Sequence, residues 1–189
     1  MIKKIRDAIS KRVRAAVLRA LQISIKNRFN HEFTVECIGP DGKLKWTPTE
    51  TNIIVNAGLN DIISNYWKGA AYTASHYVGL MSGTPTVAAA DTMASHAGWT
   101  EVTAYTEANR QALVLGAVAA QSVDNSASRA SFAVNADATS IGGPFIATDN
   151  TKGGTSGVLV GAAAFNGGNK TADNGDTLNV TVTLTASSS

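Results

Sequence analysis

Three histidines, one cysteine, fourteen acidic side chains and many serines are the residues of this 189-residue chain that could do chemistry. His31, His76 and His96 stand too far apart for the i, i+4 spacing that sets two imidazoles on one helix face, and His31-Glu32 lacks the second histidine of a zinc-hydrolase helix. Each is read as a surface or strand histidine. Serines are abundant, yet G-x-S-x-G is absent. Gly153-Gly154-Thr155-Ser156-Gly157 comes near it, but the serine sits one place from the closing glycine. A nucleophile elbow also needs a strand before it and a helix after it, and this segment reads as turn then strand. No G-K-[ST] exists for a phosphate loop, and no G-x-G-x-x-G follows a strand. Paired carboxylates for glycoside hydrolysis meet only in three dimensions. The acids Asp41, Asp124, Asp149, Asp173 and Asp176 stand among turn residues and are read as turn-shaping. Asp173, Asn174 and Asp176 carry oxygens suited to calcium, though not at the EF-hand spacing. Cys37 is in phase with Phe33 and Val35 and is read as core. A lone cysteine excludes an intrachain disulfide and a thiolate zinc site within one chain. The expectation is a non-enzymatic protein without catalytic residues, metal or cofactor.

Charge is the more informative signal. The net +2 conceals an asymmetry. Residues 1–30 hold nine Lys or Arg against one acid, Asp7, a net +8; the other 159 residues hold seven basic and thirteen acidic side chains, a net −6. A basic segment therefore precedes a mildly acidic body, and could meet phosphate, an anionic membrane or an acidic protein surface. Charged residues make up only 16% of the chain, below the usual quarter or so. Gly, Ser, Thr and Asn keep the surface wet instead. The stretch Ala15 to Ile25 is interrupted by Arg19 and Gln22, so no membrane-spanning helix is expected, and no small-residue cleavage site follows it as in an export signal.

The elements that must position these residues change character at about residue 30. Over 2–26 the residues Ile2, Ile5, Ile9, Val13, Ala16, Val17, Ala20 and Ile23 fall on one side at about 100° per residue, which predicts an amphipathic helix. Most basic side chains lie on the rest of its circumference. The steps are mainly of four, not strict heptads, so a long parallel coiled coil is not expected. The stripe needs a cover, either the helix's own body or another subunit, and the second is preferred because +8 is unusual for a helix serving only its own domain. The expected docking residues of this arm are Ile2, Ile5, Ile9, Val13, Val17, Arg12, Arg14 and Arg19. The division predicted is 1–30 as arm and 31–189 as body.

From residue 31 the period is two. Strands are expected over 33–37 and 44–47, joined by the turn Gly39-Pro40-Asp41-Gly42. Further strands are expected over 51–56, 76–81, 100–105, 111–115, 129–135, 141–147, 157–165 and 176–185. In the last, Leu178, Val180, Val182 and Leu184 face one way. A short helix over 59–67 follows Gly58, with Leu59, Ile62, Ile63 and Tyr66 on one face. Residues 88–96 form a short helix or a loop, and 166–176 a turn-rich connector. The fold class is mainly β, an antiparallel β-sandwich or jelly-roll-like body preceded by a basic amphipathic α-helix. Trp46, Trp67 and Trp99 are read as core anchors, with a sugar-stacking surface as the other option.

Seven segments carry a family likeness: Phe33-Thr34-Val35-Glu36-Cys37; Asp41-Gly42-Lys43-Leu44-Lys45-Trp46; Asn52-Ile53-Ile54-Val55-Asn56-Ala57-Gly58-Leu59-Asn60-Asp61; Tyr77-Val78-Gly79-Leu80; Ala89-Ala90-Asp91-Thr92-Met93-Ala94-Ser95-His96-Ala97-Gly98-Trp99-Thr100-Glu101; Ser122-Val123-Asp124-Asn125-Ser126-Ala127; and Ala147-Thr148-Asp149-Asn150-Thr151-Lys152-Gly153-Gly154. In these the chain resembles virion structural proteins of tailed bacteriophages, accessory capsid or tail proteins, over roughly residues 28–186. The family motifs carry no known catalytic site to transfer. The resemblance implies a structural component of a phage particle, located in the virion and assembled in the host bacterial cytoplasm.

Three roles follow. In the preferred one the chain is an exterior capsid decoration or cement protein, a homotrimer whose basic arm grips the major capsid protein; repeated contacts across a lattice give avidity from modest sites. The lack of disulfides fits assembly in a reducing compartment. The second is a short neck or tail appendage, a collar or tail-fibre protein docked on the head-tail machine. The third is a glycan-binding module, which an exposed Trp67 or Trp99 beside a carboxylate pair would support. Neither a specific nucleic-acid partner nor a membrane is expected: the arm is nearly free of aromatics and no compact motif aims it into a groove. Anionic-vesicle binding by the isolated arm would count against the second exclusion.

Overall fold

β1 (Arg28–Ile38) and β14 (Thr177–Ser187) run antiparallel along their whole length, with Val35 opposite Val180. Alternation decides the register. Phe33, Val35 and Cys37 on one strand and Leu178, Val180 and Val182 on the other are all buried, while Asn179, Thr181 and Thr183 face outward, half-exposed. A slip of one residue would reverse every one of these faces. The computed structural model describes residues 28–69 and 75–187. The helix expected over 2–26, and with it the docking residues Ile2, Ile5, Ile9, Val13, Val17, Arg12, Arg14 and Arg19, lies outside the described residues.

The fold is mainly β and all its strand pairs are antiparallel. Two six-stranded sheets make the body. The first has the order β2-β1-β14-β8, with β3 also on β1 and β9 also on β14; its other members are β2 (Leu44–Trp46), β3 (Thr49–Thr51), β8 (Ser122–Asp124) and β9 (Ala130–Ala133). The second has the order β4-β12-β11-β5-β6, with β7 also on β5: β4 (Ile53–Ile54), β5 (Tyr77–Ser82), β6 (Thr100–Glu101), β7 (Gln111–Ala112), β11 (Gly143–Ala147) and β12 (Leu159–Ala162). A small ribbon of β10 (Thr139–Ile141) and β13 (Lys170–Ala172) stands beside them.

The main core lies between the two sheets, where Phe33, Val35, Val180 and Phe132 of the first meet Val78, Leu80 and Ile146 of the second. This is sandwich packing. The second sheet is buried on both faces. Its outer face carries Met81, Phe145, Leu159 and Ala162, covered by Val55, Met93 and Trp99. That explains why β11 and β12 read as continuous apolar runs instead of alternating. Gly79 stands opposite Phe145, and a Cβ there would lie 2.2 Å from the phenyl ring. Only glycine lets that ring lie across the strand.

Several boundaries differ from expectation. The strand expected over 51–56 is two: β3 pairs with β1, then the chain crosses at Asn52 and β4 pairs with β12. The helix does not start after Gly58 but contains it. α1 (Asn56–Ile62) continues into a π-helical turn over Ile63–Trp67. A Cβ on Gly58 would lie 2.3 Å from the Val160 carbonyl oxygen, so the glycine face is the one that seats on β12. In consequence Leu59, Ile63 and Tyr66, expected on one face of the helix with Ile62, are exposed, and Ile62 is half-buried. The strands expected over 100–105 and 111–115 shorten to two residues each. β13 arises inside the expected turn-rich connector and β8 in a segment where no element was expected, because β10 and β14 offer edges that short polar segments can pair with. Residues 88–96 are loop.

Candidate functional site

The polar groups singled out by type serve the fold. Asp41, Asp124 and Asp149 each accept a hydrogen bond from the backbone N–H two residues on, at 3.1, 2.8 and 2.9 Å, so they shape turns. Asp173 and Asp176 do come together, but around a cation already in the chain: Lys45 Nζ lies 2.9 Å from one carboxylate and 2.6 Å from the other. Asp176 also accepts from the Asp173 N–H and the Cys37 thiol. Burial, and then Asp176, push the Cys37 thiol up to about 12, so this buried thiol is a poor nucleophile. Among the described residues no group of three or more His, Cys, Asp or Glu side chains could hold a metal. The Gly153–Gly157 stretch is loop, and its Gly154 carbonyl accepts from Arg110.

Tryptophans divide. Trp99 is buried, stacked on His96 with centroids 3.8 Å apart, and its indole N–H points to Asp91. Trp46 packs edge-on against Phe165 and donates to the Thr171 carbonyl at 2.8 Å. Trp67 is no core anchor. It is 76% exposed, on the π-helical turn beside Tyr66, which is 78% exposed. The cause is the shift of the helix onto its Gly58 face.

Those two rings stand at the rim of a groove of about 800 Å³. The groove opens at the end of the sandwich where β1 begins and β14 ends, with Phe29 and His31 from β1 and Leu184 from β14 on one side. Ile146 and Val160 come from the second sheet, and Leu113 and Leu115 from the segment after β7. Asp61, Ile62 and Asn65 of the helical segment and His76 before β5 complete it. The lining is mostly apolar, with Phe29 58% exposed. Among the described residues Asp61 is the one carboxylate that lines it, and they bring no carboxylate pair of the kind a glycan-cleaving site needs. Contiguous exposed apolar surface of this kind marks an interaction site more often than chance placement.

The chain matches no protein-family model, no curated protein and no solved structure. Its role must be argued from the groove and the charge pattern. Among the described residues no helix is long and apolar enough to cross a membrane.

His31, expected as a surface or strand histidine, is in β1 and buried, not at the surface. The Asn52 amide donates to its Nδ1 at 2.8 Å, which leaves the ring proton on Nε2. Burial, and then the neighbouring His76, push its pKa down to about 4. His76 is itself lowered by burial, against the opposing pull of Asp61. An unfolded chain takes up this proton near pH 6.5. Below that pH the unfolded state binds more protons, so stability is complete above it and declines as pH falls towards 4. The expected loss is about 2 kcal/mol between pH 7 and pH 5, measured by urea unfolding. His31→Gln should remove most of that slope; a wild-type stability flat across the window would show that His31 is hydrated in the fold.

Sequence reasoning missed the groove because its described lining comes from seven separate stretches of chain. The one advance signal was Phe29, Tyr66 and Trp67 lying beside polar neighbours, outside any alternating strand.

Proposed function

We propose that the chain is a non-enzymatic structural component of a tailed bacteriophage particle, an exterior capsid decoration protein that assembles as a homotrimer and is held by its basic N-terminal arm. The observation that carries this reading is the position of the exposed apolar groove. It lies at the point where the net +8 segment joins a net −6 body. A body whose polar clusters close on themselves, and which presents Phe29, Tyr66, Trp67 and Leu115 around a groove at the root of a charged arm, is suited to seat that arm and aim it at a partner. The sandwich is an exterior platform, and its Gly, Ser, Thr and Asn surface suits exposure to medium. The family resemblance over residues 28–186 points the same way.

Removing residues 1–26, which leaves β1 whole, is expected to keep the body folded and abolish incorporation into particles. Truncated protein entering particles at the normal level would remove the anchoring role. Copy number per purified particle, by quantitative mass spectrometry against the major capsid protein, then tests the location. Hundreds of copies fit a shell protein; a few dozen or fewer would make the arm an adaptor for a neck or tail appendage.

A further inference from the structure

We propose that the groove at the head of β1 is the seat of residues 13–23 of the same chain, the half of the amphipathic segment nearest the body. The inference rests on reading residues 2–26 as an amphipathic arm and not on which partner the arm then meets.

Four observations select this occupant. Phe29, a wall of the groove, is the second residue of β1, so the preceding segment starts at the groove. The apolar positions closest to it, Val13, Ala16, Val17, Ala20 and Ile23, repeat at helical spacing. A groove of about 800 Å³ takes only part of a stripe this long, since a 25-residue helix extends about 37 Å. The nearer half is the part that reaches it. The link from Ile23 to Phe29 is only Ser24 to Arg28, so seating is intramolecular, at an effective concentration on the order of mM. A second copy would have to compete with that.

Charge agrees with hydrophobicity. Among the described residues Asp61 is the one carboxylate that lines the groove, and on a helical projection Arg19 borders the apolar stripe, where it can meet a carboxylate at the edge. Each Val or Ile covered contributes on the order of 1.5–3 kcal/mol, and the covered surface includes the rim rings of Tyr66 and Trp67. Ile2, Ile5 and Ile9, beyond the reach of the groove, stay free with the basic face for a partner. One segment thus has two jobs: its near half fixes the arm's direction and its far half docks.

The test uses the full-length protein free in solution. Val17 is replaced by p-benzoylphenylalanine, the dilute protein is irradiated and the crosslinked peptides are mapped. Crosslinks within one chain to residues 59–67 and 113–115 are expected. Crosslinks to other surfaces, or, with mixed light and heavy chains, only between copies, overturn the proposal. Val13→Asp with Val17→Asp in the full chain should raise acrylamide quenching of Trp67 severalfold, a gain lost in a Trp67→Phe background. Unchanged quenching overturns it too. So does protection of Trp67 in the full chain by an oligosaccharide, since that groove would be open to sugars. Crosslinking reads the free protein and incorporation reads the particle, so the two proposals fail separately.

Discussion

Val180→Asp is expected to leave a chain that does not fold cooperatively. Val180 is fully buried at the centre of β14, opposite Val35 on β1 and Ala130 on β9. The change removes a buried valine, a loss on the order of 2 kcal/mol, and places a carboxyl among Val35, Phe132 and Val182 with no partner. An uncompensated ionised group there costs far more than that; the carboxyl would protonate first and still lose several kcal/mol. A domain of this kind has about 5–15 kcal/mol in all. Thr181→Lys, one residue on and facing outward, should cost no more than about 1 kcal/mol. Far-UV and near-UV circular dichroism melts compare the two. A Val180→Asp protein that is soluble and melts normally would mean the register of β14 is wrong.

Which face of each of the two strands β1 and β14 turns inward was legible in the sequence, though not that they pair with one another, and the reason is physical. β1 and β14 are buried on one face only, so their apolar residues alternate and identify themselves. The turn at Gly39 to Gly42 was equally plain, and the Gly39 N–H does bond the Lys43 carbonyl across it at 2.8 Å. β11 and β12 were found as strands because they are apolar throughout, but nothing local says that such a run is covered on both sides. α1 misled for a different reason. Leu59, Ile62, Ile63 and Tyr66 make a convincing apolar face, yet packing followed Gly58, because close approach to the Val160 carbonyl outweighs the periodic pattern. That single reversal put Tyr66 and Trp67 in solvent and created the rim of the groove. Short pairings such as β8 on β14 could not be foreseen, since three polar residues become a strand only when a neighbour offers an edge.

The second large effect concerns a group that no sequence pattern announced. Arg110 has no exposed side-chain surface, and Glu101, its partner, is 7% exposed. The guanidinium is bidentate on the carboxylate, Nε to Oε1 at 2.9 Å and Nη2 to Oε2 at 2.7 Å. It also donates to the Asp149 and Gly154 carbonyls at 2.8 and 2.6 Å and lies 5.3 Å from the Phe145 ring centre. Glu101 takes one more bond, from the Gly153 N–H. The pair therefore ties β6 and the residue before β7 to the 149–154 loop, with four of the guanidinium's five N–H groups donating. Glu101→Ala leaves a buried, unneutralised cation and is expected to cost about 3–5 kcal/mol in urea unfolding. Glu101→Gln keeps some hydrogen bonding and should fall between that and wild type. Glu101→Leu with Arg110→Met removes both charges, and should recover part of the loss. Recovery stays incomplete because the two loop carbonyls and the Gly153 N–H then lose their partners. A cost for Glu101→Ala below about 1 kcal/mol, the range of exposed pairs, would mean that water reaches the guanidinium. The loop it anchors would then be held by its backbone turn bonds alone.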